Sequence, residues 1–410
     1  MTTTAAAPLR ATGRRVRIGA ALTAAWMLVP ALAGTAPARA DSIRDQQQWA
    51  LDAIHAPDAW ETTRGAGVTV AVLDTGVDAD HPDLAGAVLP GHDLVGLGAE
   101  PGDAEWAAHG TAMAGIIAGR GHGPDNGSGV IGVAPEAQIL PVRVLLEDDD
   151  PDRDEARRTR TGALAEGIRW AADQGADVIN LSLGDDSESA RPDPEQDAAV
   201  RYALEQGAVV VASAGNGGDE GDPVSYPAGY PGVIAVAAVD RSGSTTDFST
   251  RRWYTTVSAP GKDVIVPDPD RRYYTGWGTS AAAAFVSGSV ALLRAAYPGL
   301  TPAQVRDVLM DTAQDPPSGG RDDAFGSGVV DPAAAIDAAA ELVGTPLEPA
   351  AEPYTRRYFG PGPRPLTGGG SSWLAPAAGA AGTLFLAGAA VLTARLRRRT
   401  GAPWWRPDQW

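Results

Sequence analysis

Five short runs, at 68–73, 139–145, 178–183, 209–212 and 233–239, are rich in Val, Ile, Leu and Ala and show no regular polar alternation. A strand with one solvated face alternates apolar and polar side chains, so these runs read as strands buried on both faces. Ala-rich helical patterns lie between them at about 110–119, 161–174 and 195–206, and others follow at about 280–297, 302–313 and 332–343. That order predicts an α/β fold of three layers, a central parallel sheet covered by helices on both faces. In such folds ligands and chemistry collect at the carboxyl ends of the strands.

The two ends of the 410-residue chain read differently. Residues 1–40 run from a basic stretch ending at Arg17 through an apolar run to Ala38, Arg39 and Ala40, with small residues where a signal peptidase reads. Cleavage after Ala40 is expected, an uncleaved signal anchor being the alternative. Residues 41–66 form an N-terminal extension, 67–344 the globular domain and 345–373 a Pro/Gly-rich linker. Residues 374–394 carry no charge and, at 1.5 Å per residue, would give a helix of roughly 30 Å, enough to span a bilayer. The tail at 395–410 opens with Arg395, Arg397, Arg398 and Arg399, which the positive-inside bias places in the cytoplasm. The globular domain is then expected outside the cell, on a single-pass protein of the cell membrane. A buried core helix is the alternative reading of 374–394.

Net charge is −18, but the ends carry ten of the arginines and Asp408. Without these, 23 basic residues face 50 acidic ones, about −27. Such a field repels nucleic acid and anionic lipid. Cysteine is absent, which excludes disulfides, thiolate metal sites and a cysteine nucleophile.

Few residues qualify as a general base, because the chain has five histidines: His55, His81, His92, His109 and His122. His109 opens a stretch of small residues whose helix start can pack closely and leave the imidazole at the strand ends. His81, before Pro82, and His92 and His122, among glycines, are expected in surface loops. Asp74 ends the first apolar run, where its carboxylate would emerge at the carboxyl edge of a central strand. Alone it reads equally well as a turn or capping aspartate. Ser280 follows Gly276, Trp277, Gly278 and Thr279 and precedes a long helical run, so its hydroxyl is either an N-cap or a nucleophile cleared by glycines and facing helix amides. A serine needs a base, the base an orienting acid, and the resulting oxyanion hydrogen-bond donors. Asn216, at the end of the run 210–216 and in an expected flexible turn, is the candidate oxyanion donor, together with the Ser280 N–H.

The blocks DTGVDADHPDL at 74–84, HGT at 109–111, AGN at 214–216 and GTS at 278–280 resemble the signatures of the subtilisin-like serine proteases, in subtilisin's order Asp, His, Ser. The resemblance implies an endopeptidase acting on protein or peptide substrates through an acyl-enzyme, with Asp74, His109 and Ser280 as triad. NLSLG at 180–184 resembles the strand that pairs with an extended substrate, which implies substrate-binding roles for Ser182, Leu183 and Gly184, and the AGN block implies them for Ala214 and Gly215. A narrower resemblance, to the mycosins, membrane-anchored proteases associated with type VII secretion, rests on RDQQQW at 44–49, AWETTRGAGV at 59–68 and the helix with its basic tail. It implies a type VII secretion machinery as partner. About 27 residues separate Asp41 from the first strand, so no cleavable chaperone domain is expected. No cofactor is required. Asp83 and the loop 121–129, with Asp125 and Asn126, resemble positions around a calcium site in some subtilisins, an ordinary polar loop being the alternative. The acidic run 147–155 could also hold calcium, but is expected to be a mobile, solvated insertion. The chain departs from its relatives in lacking cysteine pairs and in carrying Ala281 and Ala284, where the family has a large residue and a helix-presetting proline. Those departures leave room for an alternative, a scaffold of a secretion assembly with weak or no proteolysis.

Overall fold

In the computed structural model the described residues are 42–103, 106–187, 190–344 and 386–395. The five predicted strands join two unpredicted ones, β2 and β9, in a seven-stranded sheet whose pairs all run parallel, in the order β2-β5-β1-β6-β7-β8-β9. Its members are β1 (Thr69–Asp74), β2 (His92–Asp93), β5 (Gln138–Arg143), β6 (Val178–Leu181), β7 (Val209–Ser213), β8 (Ile234–Val239) and β9 (Thr255–Pro260). Two short antiparallel pairs stand outside it, β3 (Arg120–His122) with β4 (Ser128–Ile131), and β10 (Lys262–Pro267) with β11 (Tyr273–Trp277).

The missing polar alternation has its cause in the layers. Along β1, Val70 and Val72 face a core that includes residues of α3 (Ala108–Ala118), α7 (Thr279–Ala296) and α9 (Pro332–Gly344). Ala71 and Leu73 face a second core, built with α5 (Ala163–Asp173) and α6 (Pro194–Glu205). Further helices of this unit among the described residues are α1 (Ser42–Ala53), α2 (Ala56–Ala59), α4 (Arg153–Thr159) and α8 (Pro302–Asp311), the last opened by a reciprocal Thr301–Gln304 capping box.

Helix α7 is long and apolar enough to cross a membrane, yet 83% of it is buried, and it runs through the core. Of the expected membrane span, Leu386–Arg395 is a helix with exposed side chains, and 374–385 lies outside the described residues. The chain divides into two units, Met1–Thr345 and Pro346–Trp410.

The acidic run is solvated as expected at Asp148, Asp149, Asp152, Asp154 and Glu155, but it is folded, with a buried carboxylate inside it. Asp150 is 4% exposed and accepts the Ala99 and Asp152 N–H groups at 2.8 Å each, and α4 follows directly. Burial of a carboxylate is tolerable only when donors satisfy it, as they do here.

Candidate active site

Asp74 ends strand β1 and Asn216 follows strand β7, while His109 and Ser280 open helices that bond to them or to their neighbours. Asp74, fully buried, is the last residue of β1. Its carboxylate lies 2.8 and 3.0 Å from Nδ1 of His109, and its Oδ1 also accepts the Thr75 N–H at 2.8 Å. His109 sits in the first turn of α3, which reaches the strand end because Gly110 has no Cβ. One added there would lie 1.9 Å from the Gly76 carbonyl oxygen. Burial, the largest single influence on the imidazole, opposes its charge. The Asp74 carboxylate, by charge and hydrogen bond, with Glu147 and Asp148, outweighs it and pushes His109 up to about 9. The ring keeps 37% exposure, so solvent moderates these interactions.

Ser280 lies inside the first turn of α7, whose N-cap is Gly278 at φ 132°, a conformation suited to glycine. The serine therefore caps nothing. Its hydroxyl donates to the Ser182 carbonyl at 3.0 Å, while the Ser182 hydroxyl donates to the Ser280 carbonyl at 2.8 Å. A buried polar chain continues from Ser182 Oγ to Asn180 Nδ2 at 3.0 Å and from Asn180 Oδ1 to Ser287 Oγ at 2.8 Å. These bonds tie α7 to β6 beside the nucleophile candidate, which bears on Ala281 and Ala284. Both are buried in the helix, and support for its first turn comes from hydrogen bonds, without a proline.

Asn216 lies exposed in the bend that follows β7, where hydrogen bonds hold it. Its N–H donates to Asp186 at 3.0 Å, and its side-chain oxygen accepts from Thr279 N and Oγ1, each at 2.9 Å. With the oxygen so engaged, Nδ2 is left as the outward donor. A Cβ on Gly278 would lie 3.6 Å from that Nδ2 and 3.8 Å from the Ser280 nitrogen, so both donors border the space glycine leaves open.

Strand β6 pairs with β7 only as far as Leu181 opposite Ala212, and Ser182, Leu183 and Gly184 continue beyond the ladder. Ala214 donates its N–H to the Val236 carbonyl and accepts from the Tyr254 hydroxyl; Gly215 donates to Thr279 Oγ1 and accepts from the Thr250 N–H. With their main chains satisfied internally, Ala214 and Gly215 can only form a wall. Leu183 accepts the Ser213 hydroxyl at its carbonyl at 3.3 Å, and Gly184 runs on exposed.

The sequence model of the Subtilase family matches residues 65–328. The chain belongs to that family. As a subtilase it is a subtilisin-like serine endopeptidase. Thermitase from Thermoactinomyces vulgaris is 38% identical over 273 residues, 67% of this chain and 90% of thermitase. Among solved structures, MycP1 from Mycobacterium smegmatis is 33% identical with a TM-score of 0.60, over 70% of this chain and 84% of that one. The MycP3 protease from the type VII (ESX-3) secretion system is 35% identical with a TM-score of 0.58, over 70% and 87%. The mycosin resemblance thus holds at the level of structure.

The positions that resemble a subtilase calcium site do not suit a cation. Asp83 is fully buried, and its oxygens accept from His122 Nδ1 at 2.6 Å, Val130 N at 2.9 Å and the Tyr273 hydroxyl at 2.8 Å. Carbonyl oxygens of the adjoining loop, those of Gly129, Asn126 and Ser128, receive the Arg44 guanidinium at 3.0, 3.1 and 3.4 Å. A guanidinium and N–H and O–H donors hold the oxygens that calcium would need. Two histidines expected in surface loops belong to this network. His81 is 1% exposed and accepts the Asp83 N–H, and His122 pairs with Asp83; His92 stacks on Trp170, with 5.0 Å between ring centroids.

Proposed function

We propose that this subtilase cleaves extended protein segments through an acyl-enzyme, with Ser280 as nucleophile, His109 as general base and Asp74 as the acid that orients it. The observation that carries this reading is the hydrogen-bonded pair of buried Asp74 and half-exposed His109 at the end of β1, together with a helix-borne Ser280 bonded to Ser182 past the end of β6 and bordered by the donors of Asn216 and Ser280. Asp74 accepts from Nδ1, which leaves Nε2 as the nitrogen that takes a proton. While the imidazole is charged, Nε2 has no lone pair for the Ser280 hydroxyl, which then donates to the Ser182 carbonyl instead. Loss of that proton frees Nε2, and rotation of the serine side chain redirects the hydroxyl to it. Attack on the substrate carbonyl sends the serine proton to His109. The negative oxygen meets Asn216 Nδ2 and the Ser280 N–H, which has no helical carbonyl in the first turn of α7. His109 then gives its proton to the leaving amine, and water repeats the sequence to release the acyl group. The edge at Leu183 and Gly184 suits a substrate bound as an added strand.

The signal-like leader, the apolar stretch at 374–394 and the arginines after it support an exported catalytic unit anchored at the cell membrane. Likeness to a protease of the type VII (ESX-3) secretion system supports a secretion machinery as partner. The filled oxygens around Asp83 support activity without calcium at that loop.

The test is hydrolysis of an unfolded protein by the full-length chain and by Asp74→Ala, His109→Ala and Ser280→Ala. Loss of hydrolysis in all three, with each folded, is expected. Equal hydrolysis by Ser280→Ala would defeat the assignment.

A further inference from the structure

Helix α3 begins without a capping side chain of its own. Its N-cap is Ala107, at φ 55°, whose methyl group accepts nothing. The first-turn N–H groups need acceptors from elsewhere, and two distant residues supply them. The Gly110 N–H donates to Thr75 Oγ1 at 3.1 Å, and the His109 N–H donates to Glu147 Oε1 at 2.8 Å. The Thr75 hydroxyl also favours the charged form of the Glu147 carboxylate. Glu147 thereby joins the turn after β1 to the start of α3, one residue from Asp74 and on the backbone of His109 itself.

We propose that Glu147 is a positioning residue for the general base, its carboxylate both fixing the start of the helix that carries His109 and adding a second negative charge to the one Asp74 supplies. This rests on the reading of Asp74, His109 and Ser280 given above. The placement is built rather than incidental. Arg153 of α4 donates to the Leu146 carbonyl and pairs with Asp148, and the buried Asp150 is bonded on both oxygens, so the segment carrying Glu147 is held from both sides. A carboxylate at a helix N-terminus is favoured by the helix dipole. Burial pushes the Glu147 carboxyl up, opposed by the hydrogen bonds from Thr75 and His109, and its charge is among those that raise His109.

The charged groups facing His109 are Asp74 from β1 and Glu147 and Asp148 from the segment after β5, with Arg153 of α4 neutralising part of the last. Negative charge stabilises the imidazolium, so removing it lets His109 lose its proton at lower pH. The deprotonated base is the active form, and the acid limb of activity moves down with it.

The test is the rate of covalent labelling by a fluorophosphonate as a function of pH, on the full-length chain and on Glu147→Gln and Glu147→Ala. Gln keeps the acceptor for the His109 N–H and removes the charge. The midpoint of the acid limb should fall by about 0.5 pH unit or more in both variants, and thermal stability should fall further in Glu147→Ala than in Glu147→Gln. A shifted midpoint is something a purely structural cap would not produce. An unchanged midpoint in a folded Glu147→Gln would overturn the proposal while leaving the triad intact. So would failure of Glu147→Gln to fold, because the acceptor is retained. No labelling of the unaltered chain at any pH would overturn the reading of the site, and this proposal with it.

Discussion

At the scale of single residues, the site separates groups that react from groups that hold them. Asn216 is held by Asp186 and Thr279 so that only Nδ2 remains for the substrate. Asn216→Ala should lower kcat by about 10²–10³, the loss characteristic of subtilisin itself and carried over with the family, and KM should change little. Steady-state kinetics checks it. The raised His109 sets the pH response. The charged imidazole is inactive as a base, so kcat/KM should rise as pH climbs toward about 9, which a pH–rate profile reads directly. The linkage to folding has the opposite sense. A histidine whose folded value lies above 6.5 contributes stability that is complete below 6.5 and lost as pH rises through about 9, a contribution moderated here by the ring's exposure. That Asp74 ends a strand and that His109 and Ser280 open helices was legible in the sequence from apolar runs and neighbouring glycines, while their joint role came from the family resemblance. Glu147 was not legible. Its partner is 38 residues away, and it stands in an acidic run where composition points to solvent.

At the scale of elements, close approach and a buried polar chain place the site. Gly110→Ala would drive a Cβ into the Gly76 carbonyl, so it should destabilise by about 1–3 kcal/mol or more and separate α3 from the end of β1, seen as a lowered Tm together with lost activity. Asn180, fully buried, gives its amide to Ser182 and accepts from Ser287, so Asn180→Leu would strand a buried hydroxyl on α7. The sheet was legible where strands are wholly apolar. Strand β9 escaped notice because Thr255, Thr256 and Ser258 interrupt its apolar character although all of it is buried. Thr255 and Ser258 donate to the Asp323 and Phe325 carbonyls, which offsets the cost of burying them. No local pattern reveals partners so far along the chain.

At the scale of the whole molecule, the N-terminal extension locks onto the catalytic unit by side chains. Besides Arg44, Gln47 donates to the Ile131 carbonyl at 2.6 Å and accepts the Ile131 N–H at 2.9 Å, which attaches α1 to the end of β4. Arg44→Ala should therefore lower stability by about 1.5–3 kcal/mol, while a calcium chelator should leave the Tm of the unaltered chain unchanged; scanning calorimetry distinguishes the two. A Tm that drops on chelation would mean that calcium binds in spite of the filled oxygens. The extension's role was hidden in the sequence because Arg44 meets a loop more than 80 residues away. The central claim is that Ser280 is the nucleophile, and mass analysis of the full-length chain after fluorophosphonate treatment tests it most directly. A single adduct on the peptide containing Ser280, lost in Ser280→Ala and in His109→Ala, is the predicted result. An unmodified Ser280 in the folded chain, at a pH where His109 is neutral, would contradict it.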